Sequence, residues 1–330
     1  MADPLRIAVV GGRGFGQVHL AGLYQLRERG LDIEYYPYSS SPSEAKALAE
    51  RFGAAGYFTS YQDVLNSNVD VVDLVVSHDA HAPMSIQAMR AGKHVLLEKP
   101  IARDMDEATS IVREAERAGV KFMVAENYHF NATFEALYEA ARGLGRLHTI
   151  IVRDTHFNQP TGWRTVRSRM GGGAVIDGGI HMMHVMLNVG GPYRRACGLT
   201  YNTGVVRMEG EDVGVALIEF ESGARGVYIY GWAFRGAPPA PVIEVYGEGG
   251  GIYEDPSSRV VKEVRGVRYL ARHGDLVVNG ERVRVRDGDM IVEELEGFIR
   301  SVETGAPVPM PTELELRDLR AILDIYSTPC

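Results

Sequence analysis

The chain has 330 residues, 45% of them hydrophobic, and a formal net charge of −8. That length exceeds what one ordinary core fills and is ample for two domains. The acidic balance argues against a nucleic-acid binder, which needs clustered Lys and Arg, and no apolar run approaches the roughly 20 residues of a membrane helix. Two cysteines, Cys197 and Cys330, are too few for a disulfide framework and form no CxxC pair, which favours a reducing compartment. The N-terminus passes quickly into Leu5 to Val10, without a basic region, long apolar run and cleavage site, so the protein reads as cytoplasmic.

Ile7-Ala8-Val9-Val10 is an apolar run of the kind that becomes a buried parallel strand, and it leads into Gly11-Gly12-Arg13-Gly14-Phe15-Gly16. A helix is predicted from about Gln17 to Arg29. Strand, glycine turn and helix are the setting of a dinucleotide site, where glycines admit the pyrophosphate and the helix N-terminus binds it. The motif is imperfect: Arg13 holds the second glycine position in one register and Gln17 the third in the other. A tight surface turn is the plain alternative. The next strand covers Ile33 to Tyr36, and a helix from near Ser43 stops at Gly53. Between them, Ser39-Ser40-Ser41 stands where an NAD enzyme places an acid. Small hydroxyls there suit a 2′-phosphate, so Ser39 and Ser40 lean towards NADP, with NAD possible. Capping of the next helix explains the serines equally well.

A strand over Val69 to Val76 ends at Ser77-His78-Asp79-Ala80-His81-Ala82-Pro83, which puts Ser77, His78 and His81 in a ligand-facing loop ahead of a helix from about Met84 to Ala91. The strand His94 to Leu97 ends in Glu98-Lys99-Pro100. A lysine at the carboxyl end of a parallel strand, beside the nucleotide crevice, is placed for chemistry, although a surface charge looks the same in sequence. A helix through Met105 to Ala115 ends at Gly119, and Lys121 to Ala125 forms a further strand. After a helix around Phe134 to Ala141, strands follow one another at Leu147 to Asp154, Val213 to Phe220, Gly226 to Tyr230, Val242 to Tyr246 and Gly251 to Tyr253. Leu276 to Val278 pairs with Val283 to Val285 across Asn279-Gly280, a hairpin signal. The change from alternating to consecutive strands divides the chain at 1–125 and 126–330: a doubly wound parallel sheet, then a mostly antiparallel sheet domain. Two final helices, about Met290 to Glu303 and Thr312 to Tyr326, carry apolar core stripes.

Gly171 to His184 concentrates glycine, carboxylate and imidazole. On one helix, Asp177, His181 and His184 stand at i, i+4 and i+7 and share a face. The same set could hold Zn²⁺, but the glycine turn and the upstream nucleotide site account for the cluster without metal. His184 and His19 also read as satisfied core histidines. Tyr128, after the last parallel strand, is a pocket residue. Trp163 offers an indole face to a sugar ring and Arg164 a guanidinium to its hydroxyls. Arg167 and Arg169 hint at an anionic substrate, although solvated loop arginines are commoner.

Taken in order, the Gly11 to Gly16 turn with His19, Glu98-Lys99-Pro100, Trp163-Arg164, and Gly171-Gly172-Gly173 with Asp177 and His181 resemble the glucose-fructose oxidoreductase and inositol dehydrogenase (Gfo/Idh/MocA) family over nearly the whole chain. The resemblance implies a Rossmann domain, an open C-terminal sheet that packs on a second subunit as a homodimer or homotetramer, and nicotinamide-dependent chemistry on sugars and polyols. The last helices then pack back towards the first domain. The family's lysine falls on Lys99, its aspartate on Asp177 and its catalytic histidine on His181. His184 departs from an aspartate often found three residues beyond that histidine. Lys99, His181 and Asp177 are thus the expected catalytic set, with His181 as base and Lys99 as cation. Tyr128, Trp163, Arg164, Asp177, His181 and His184 form the expected substrate set. Gly11, Gly12, Arg13, Gly14, Phe15, Gly16, Ser39, Ser40, Ser77, His78, His81, Glu98 and Lys99 form the cofactor set. A sugar- or cofactor-sensing protein without turnover is the alternative function on such a scaffold.

Overall fold

The computed structural model describes residues 3–330. Five parallel strands, β1 (Leu5–Val10), β2 (Ile33–Tyr38), β3 (Val71–Leu74), β4 (His94–Glu98) and β5 (Phe122–Ala125), form a sheet in the order β2-β1-β3-β4-β5. Helices α1 (Phe15–Glu28), α2 (Pro42–Phe52), α3 (Tyr61–Asn66), α4 (His78–Arg90) and α5 (Met105–Ala118) connect them. Helices on both faces bury the strands from two sides, which is why β5 and the Ile7 to Val10 part of β1 read as continuous apolar runs. The strand order reverses between β2 and β3 on either side of β1, so a crevice opens at the carboxyl ends. Helix α4 starts at His78, earlier than the expected Met84, with Ser77 as its N-cap and Pro83 inside it. Pro83 reads as a helix start because it lacks an N–H, yet the helix runs through it. His78 and His81 therefore lie on a helix, not in a loop.

Beyond β5, α6 (Ala132–Arg142), β6 (Leu147–Thr155), α7 (Arg167–Met170), α8 (Ala174–Asp177) and α9 (Gly179–Gly190) lead into β7 (Tyr193–Tyr201), β8 (Val213–Phe220) and β9 (Arg225–Gly231). Strands β10 (Ile243–Gly247), β11 (Gly250–Glu254), β12 (Val260–Val264), β13 (Val267–Arg272), β14 (Leu276–Val278) and β15 (Glu281–Val283) follow. The second sheet has the order β15-β14-β11-β10-β6-β9-β8-β7; β6 and β9 are parallel and the other pairs antiparallel. Strand β7 carries arginines, Cys197 and Gly198 and shows no clean alternation, so its sequence conceals it. The last hairpin turns over Asn279 (φ 51°) and Gly280 (φ 86°), and Val278 pairs with Glu281. A two-residue turn of this kind starts the return strand at once, which places β15 two residues earlier than expected.

One face of this sheet, with Ile150, Val152, Ala216, Ile218 and Tyr228, is buried in the same core as Met182, Met183 and Met186 of α9. Helices α10 (Met290–Thr304) and α11 (Thr312–Ser327) return to the rest of the molecule. Ile291, Leu295, Phe298 and Ile299 of α10 join Ile7, Val9 and Leu23 in the core beneath the first sheet. Gly22 of α1 lets the two helices meet closely, since a Cβ there would lie 2.5 Å from Leu295 Cδ1. Helix α11 packs on β7 and α9, and the chain end then lies along β7, where Gly198 N–H donates to Thr328 O (3.0 Å).

That placement joins Cys197 to Cys330 in a disulfide. The reading of a reducing compartment from too few cysteines for a disulfide framework is corrected: 133 residues separate the two, so no local spacing announced the pair, and the cysteines carry no argument for that compartment. Among the described residues no helix is long and apolar enough to cross a membrane. Leu295 lies at the junction of α10 with the first sheet and is fully packed. Leu295→Ala should therefore destabilise the fold by about 2–5 kcal/mol, measured by urea denaturation.

Candidate active site

A cleft of about 650 Å³ opens between the carboxyl ends of the first sheet and the segment around Trp163. Its floor is the glycine turn. Gly11 has φ 121°, and a Cβ there would fall 1.9 Å from Val75 O, so the turn can approach the end of β3 this closely only without a side chain. Gly14 stands at the mouth of α1 beside open space, and a Cβ on it would meet no atom within 4 Å. The open backbone and the N-terminus of a 14-residue helix fit a pyrophosphate. Gly11, Gly12, Arg13, Gly14 and Phe15 line the cleft, as do Ser39, Ser40, Ser77, His78, Glu98 and Lys99. Gly16 does not; it packs behind the turn against the carbonyl of Gly11.

At the β2 end of the cleft, Glu44 enters from the first turn of α2. It accepts a hydrogen bond from Arg13 Nε (2.7 Å) and another from Ser39 Oγ (2.6 Å). The bond from Arg13, followed by that from Ser39, holds the Glu44 carboxyl below the usual range, so it is ionised. Glu44 is not legible in the sequence as a cofactor contact, because an acid for the ribose is expected at the end of β2 and this one stands inside the next helix.

At the other end Lys99 Nζ crosses from β4 to the second domain and donates to Asp177 O (2.6 Å) and Asp177 Oδ1 (3.1 Å). Arg164 Nε donates to Asp177 Oδ2 (2.6 Å), and its guanidinium lies 4.3 Å from the centre of the Trp163 ring. Burial would raise the Asp177 carboxyl, but Lys99, then Arg164, outweigh it and hold it well below the usual range. His78 donates from Nδ1 to Met170 O (2.8 Å), and its ring meets Trp163 edge-on at 4.6 Å. Burial pushes His78 down to about 3 against the pull of Asp177, so its ring is neutral.

His181 lines the cleft from α9. Its Nδ1 donates to Glu126 Oε1 (2.6 Å), and its ring stacks on Tyr128 at 4.5 Å. Glu126 follows β5 directly and is fully buried. The sequence signal for it is its place, since residues just past a parallel strand face the crevice. Glu98 is steadied from behind by His19, whose Nε2 lies 3.2 Å from Glu98 Oε1 and whose Nδ1 lies 2.9 Å from Asp73 Oδ2.

Four expected contacts take other places. His184 is buried, donates from Nδ1 to Asp318 Oδ2 of α11 (2.6 Å) and does not line the cleft. The trio separates because the helix breaks at Gly178, where α8 ends and α9 begins. That break abuts β9, since a Cβ on Gly178 would lie 1.9 Å from the Tyr230 hydroxyl. Asp177 sits under the cleft, its carboxylate engaged by Lys99 and Arg164, and offers no free edge to a substrate. Tyr128 supports His181 from behind. His81 is buried between Pro100 O (2.8 Å) and Val76 O (3.3 Å), where it braces the Lys99-Pro100 segment and touches no ligand space. Arg169 is engaged by Asp79 and Ser77, and neither it nor Arg167 lines the cleft.

Residues 5–126 match the model of an oxidoreductase family with an NAD-binding Rossmann fold, and residues 139–253 match the GFO/IDH/MocA C-terminal domain. The chain is 26% identical over 328 residues to a myo-inositol 2-dehydrogenase of Thermotoga maritima, covering 92% of this chain and 90% of that protein. It is also 26% identical to D-xylose 1-dehydrogenase (NADP(+)) 2 of Haloferax volcanii, over 88% and 87% of the two chains. A levoglucosan dehydrogenase solved with NADH and levoglucosan shares the fold at a TM-score of 0.82, with 20% identity and coverage of 98% and 97%. With both halves matched in order, the chain belongs to the GFO/IDH/MocA oxidoreductase family.

Proposed function

We propose that this member of the family oxidises or reduces a CH–OH group of a sugar, polyol or sugar derivative, with Lys99 and His181 as its catalytic pair. The observation that carries the reading is their convergence on one cleft from different domains. Bound in the glycine-floored part of the cleft, a nicotinamide cofactor supplies the hydride acceptor for oxidation or the donor for reduction. An ammonium has three N–H donors. Lys99 commits two to Asp177, which fixes its direction and leaves one for the substrate oxygen. That charge steadies the alkoxide as it develops. His181 commits Nδ1 to Glu126, so Nε2 is the nitrogen that takes the hydroxyl proton or returns it. Asp177 positions Lys99 and Arg164. Trp163 and Arg164 offer the apolar face and donors that a sugar ring requires. The domain division at 125/126 makes this two-sided cleft, with the cofactor on one side and the proton acceptor on the other.

The named relatives use different cofactors, so preference is argued from the β2 end of the cleft. Arg13, Ser39 and Ser40 suit a 2′-phosphate, which favours NADP; Glu44 ties up Arg13 and Ser39 and puts an ionised carboxylate among them. That carboxylate accepts ribose hydroxyls and repels a phosphate. NAD is therefore the preferred partner, with NADP accommodated. The outer face of the second sheet supports a homo-oligomer: Leu199 of β7 is 62% exposed and Leu217 of β8 50% exposed. Cross-strand pairing extends them into rows with Val215 and Ile229, and with Val227 and Ile151.

Turnover on a panel of aldoses, inositols and sugar phosphates, followed by cofactor absorbance, should identify a substrate. Lys99→Ala should then lower kcat by about 10²–10⁴-fold with nucleotide affinity kept, because one electrostatic contact to the reacting oxygen is lost. Unchanged turnover would remove Lys99 from the chemistry. Glu44→Gln should raise the NADP/NAD ratio of kcat/KM about tenfold or more, equivalent to about 1.4 kcal/mol. An unaltered ratio would show that Glu44 does not set the preference. Sedimentation should report a dimer or tetramer, and a monomer at micromolar concentration would defeat the oligomer assignment.

A further inference from the structure

We propose that Glu126 is the positioning residue of the proton acceptor: with His181 it forms a buried carboxylate–imidazole dyad that aims Nε2 at the substrate hydroxyl and balances the charge formed there. This rests on the functional reading above. The geometry is specific. Nδ1 of His181 lies 2.6 Å from Glu126 Oε1, Tyr128 stacks on the ring at an interplanar angle of 19°, and Glu126 has no solvent contact. Asp177, the carboxylate four residues before His181, is engaged by Lys99 and Arg164, so it does not serve this histidine.

Glu126 is itself fixed. Its Oε1 also accepts from Tyr128 N–H (3.0 Å), while Oε2 is buried with no protein partner. The charged and titratable groups around it come from every side: His181 and His184 on α9, Glu315 on α11, Glu294 on α10, and Tyr128 and His129 on its own segment. Both carboxyl oxygens of Glu294 and of Glu315 are buried without hydrogen-bond partners. Burial above all pushes both well above the usual range; Glu98 and Glu126 add to it at Glu294, and Glu126 and Asp318 at Glu315, so both are neutral acids. Burial pushes Glu126 the same way, but His181, through its Nδ1–H contact to Oε1, outweighs it and holds Glu126 low. The negative charge of these three buried glutamates therefore rests on Glu126, beside the histidine.

In oxidation the substrate O–H proton would pass to Nε2 as the C–H electron pair left with its hydrogen, which a nicotinamide bound in the cleft would accept. The imidazole thereby becomes an imidazolium, whose single positive charge the Glu126 carboxylate meets through Nδ1–H. Reduction reverses both transfers. Glu126 stays ionised throughout and does not itself receive the proton, as in other carboxylate-oriented histidines.

Two variants test the dyad. Glu126→Gln keeps shape and removes charge; kcat should fall about 10–100-fold with KM within about threefold. Glu126→Met removes the acceptor. In ¹⁵N spectra of the cofactor-free protein, the neutral His181 ring should be the Nδ1–H tautomer in the parent and shift to Nε2–H in Glu126→Met. A Glu126→Gln enzyme within about twofold of the parent, or one tautomer in both proteins, overturns the proposal. If the parent turns over no sugar or polyol, the functional reading falls, and the tautomer measurement still decides the dyad.

Discussion

One ammonium joins the two halves of this molecule. Lys99 leaves the carboxyl end of β4 and ends on the backbone and side chain of Asp177, 78 residues later in the chain. Burying such a pair is costly unless its remaining valences are met, and removing one partner strands the other. Here they are met: Arg164 takes the second oxygen of Asp177, and the neighbouring His78 ring carries no charge to compete. The contact sets the distance between the glycine floor and α9. It also fixes the lysine's remaining donor, so the binding geometry of one domain depends on a carboxylate from the other.

The cleft is divided by charge. At the β2 end a carboxylate holds a guanidinium and the Ser39 hydroxyl, contacts that a ligand in this part of the cleft would compete with. At the substrate end each ionised group already has a fixed partner, and the freedom left is one donor on Lys99, the terminal guanidinium donors of Arg164 and one ring nitrogen on His181. Preorganised groups of this kind need little rearrangement when charge develops on a substrate oxygen. On the proposed reading, the first end would select among cofactors and the second would act on the substrate's alcohol or carbonyl.

The parallel sheet is legible in the sequence because buried strands leave apolar runs and glycine turns leave φ requirements that few residues satisfy. Lys99, His181 and the Trp163-Arg164 pair are legible as chemistry-bearing types at the ends of elements. Helical spacing misleads at His184, since the i, i+4, i+7 argument assumes one continuous helix and the chain breaks at Gly178. It misleads in part at Asp177, whose residue type points to the site while its partners are tertiary. Glu44, and the role of Glu126 beyond its place after a strand, stay hidden for a different reason. Each acquires meaning from a partner distant in sequence, Arg13 in one case and His181 in the other, and solvated acids are the commonest use of glutamate. Strand β7 and the Cys197–Cys330 pair share that character: neither exists as a local pattern.

Helix α10 has a consequence for how the molecule comes into being. Its Leu295, Phe298 and Ile299 complete the apolar layer over Ile7, Val9 and Leu23, although the whole of the second sheet is made before it. During synthesis the core on this side of the first sheet, lined early by α1 and α2, therefore stays incomplete until α10 has left the ribosome. Domains commonly fold in the order they emerge. In this chain the first domain is finished last, so the nucleotide cleft matures only once the rest of the protein exists to use it.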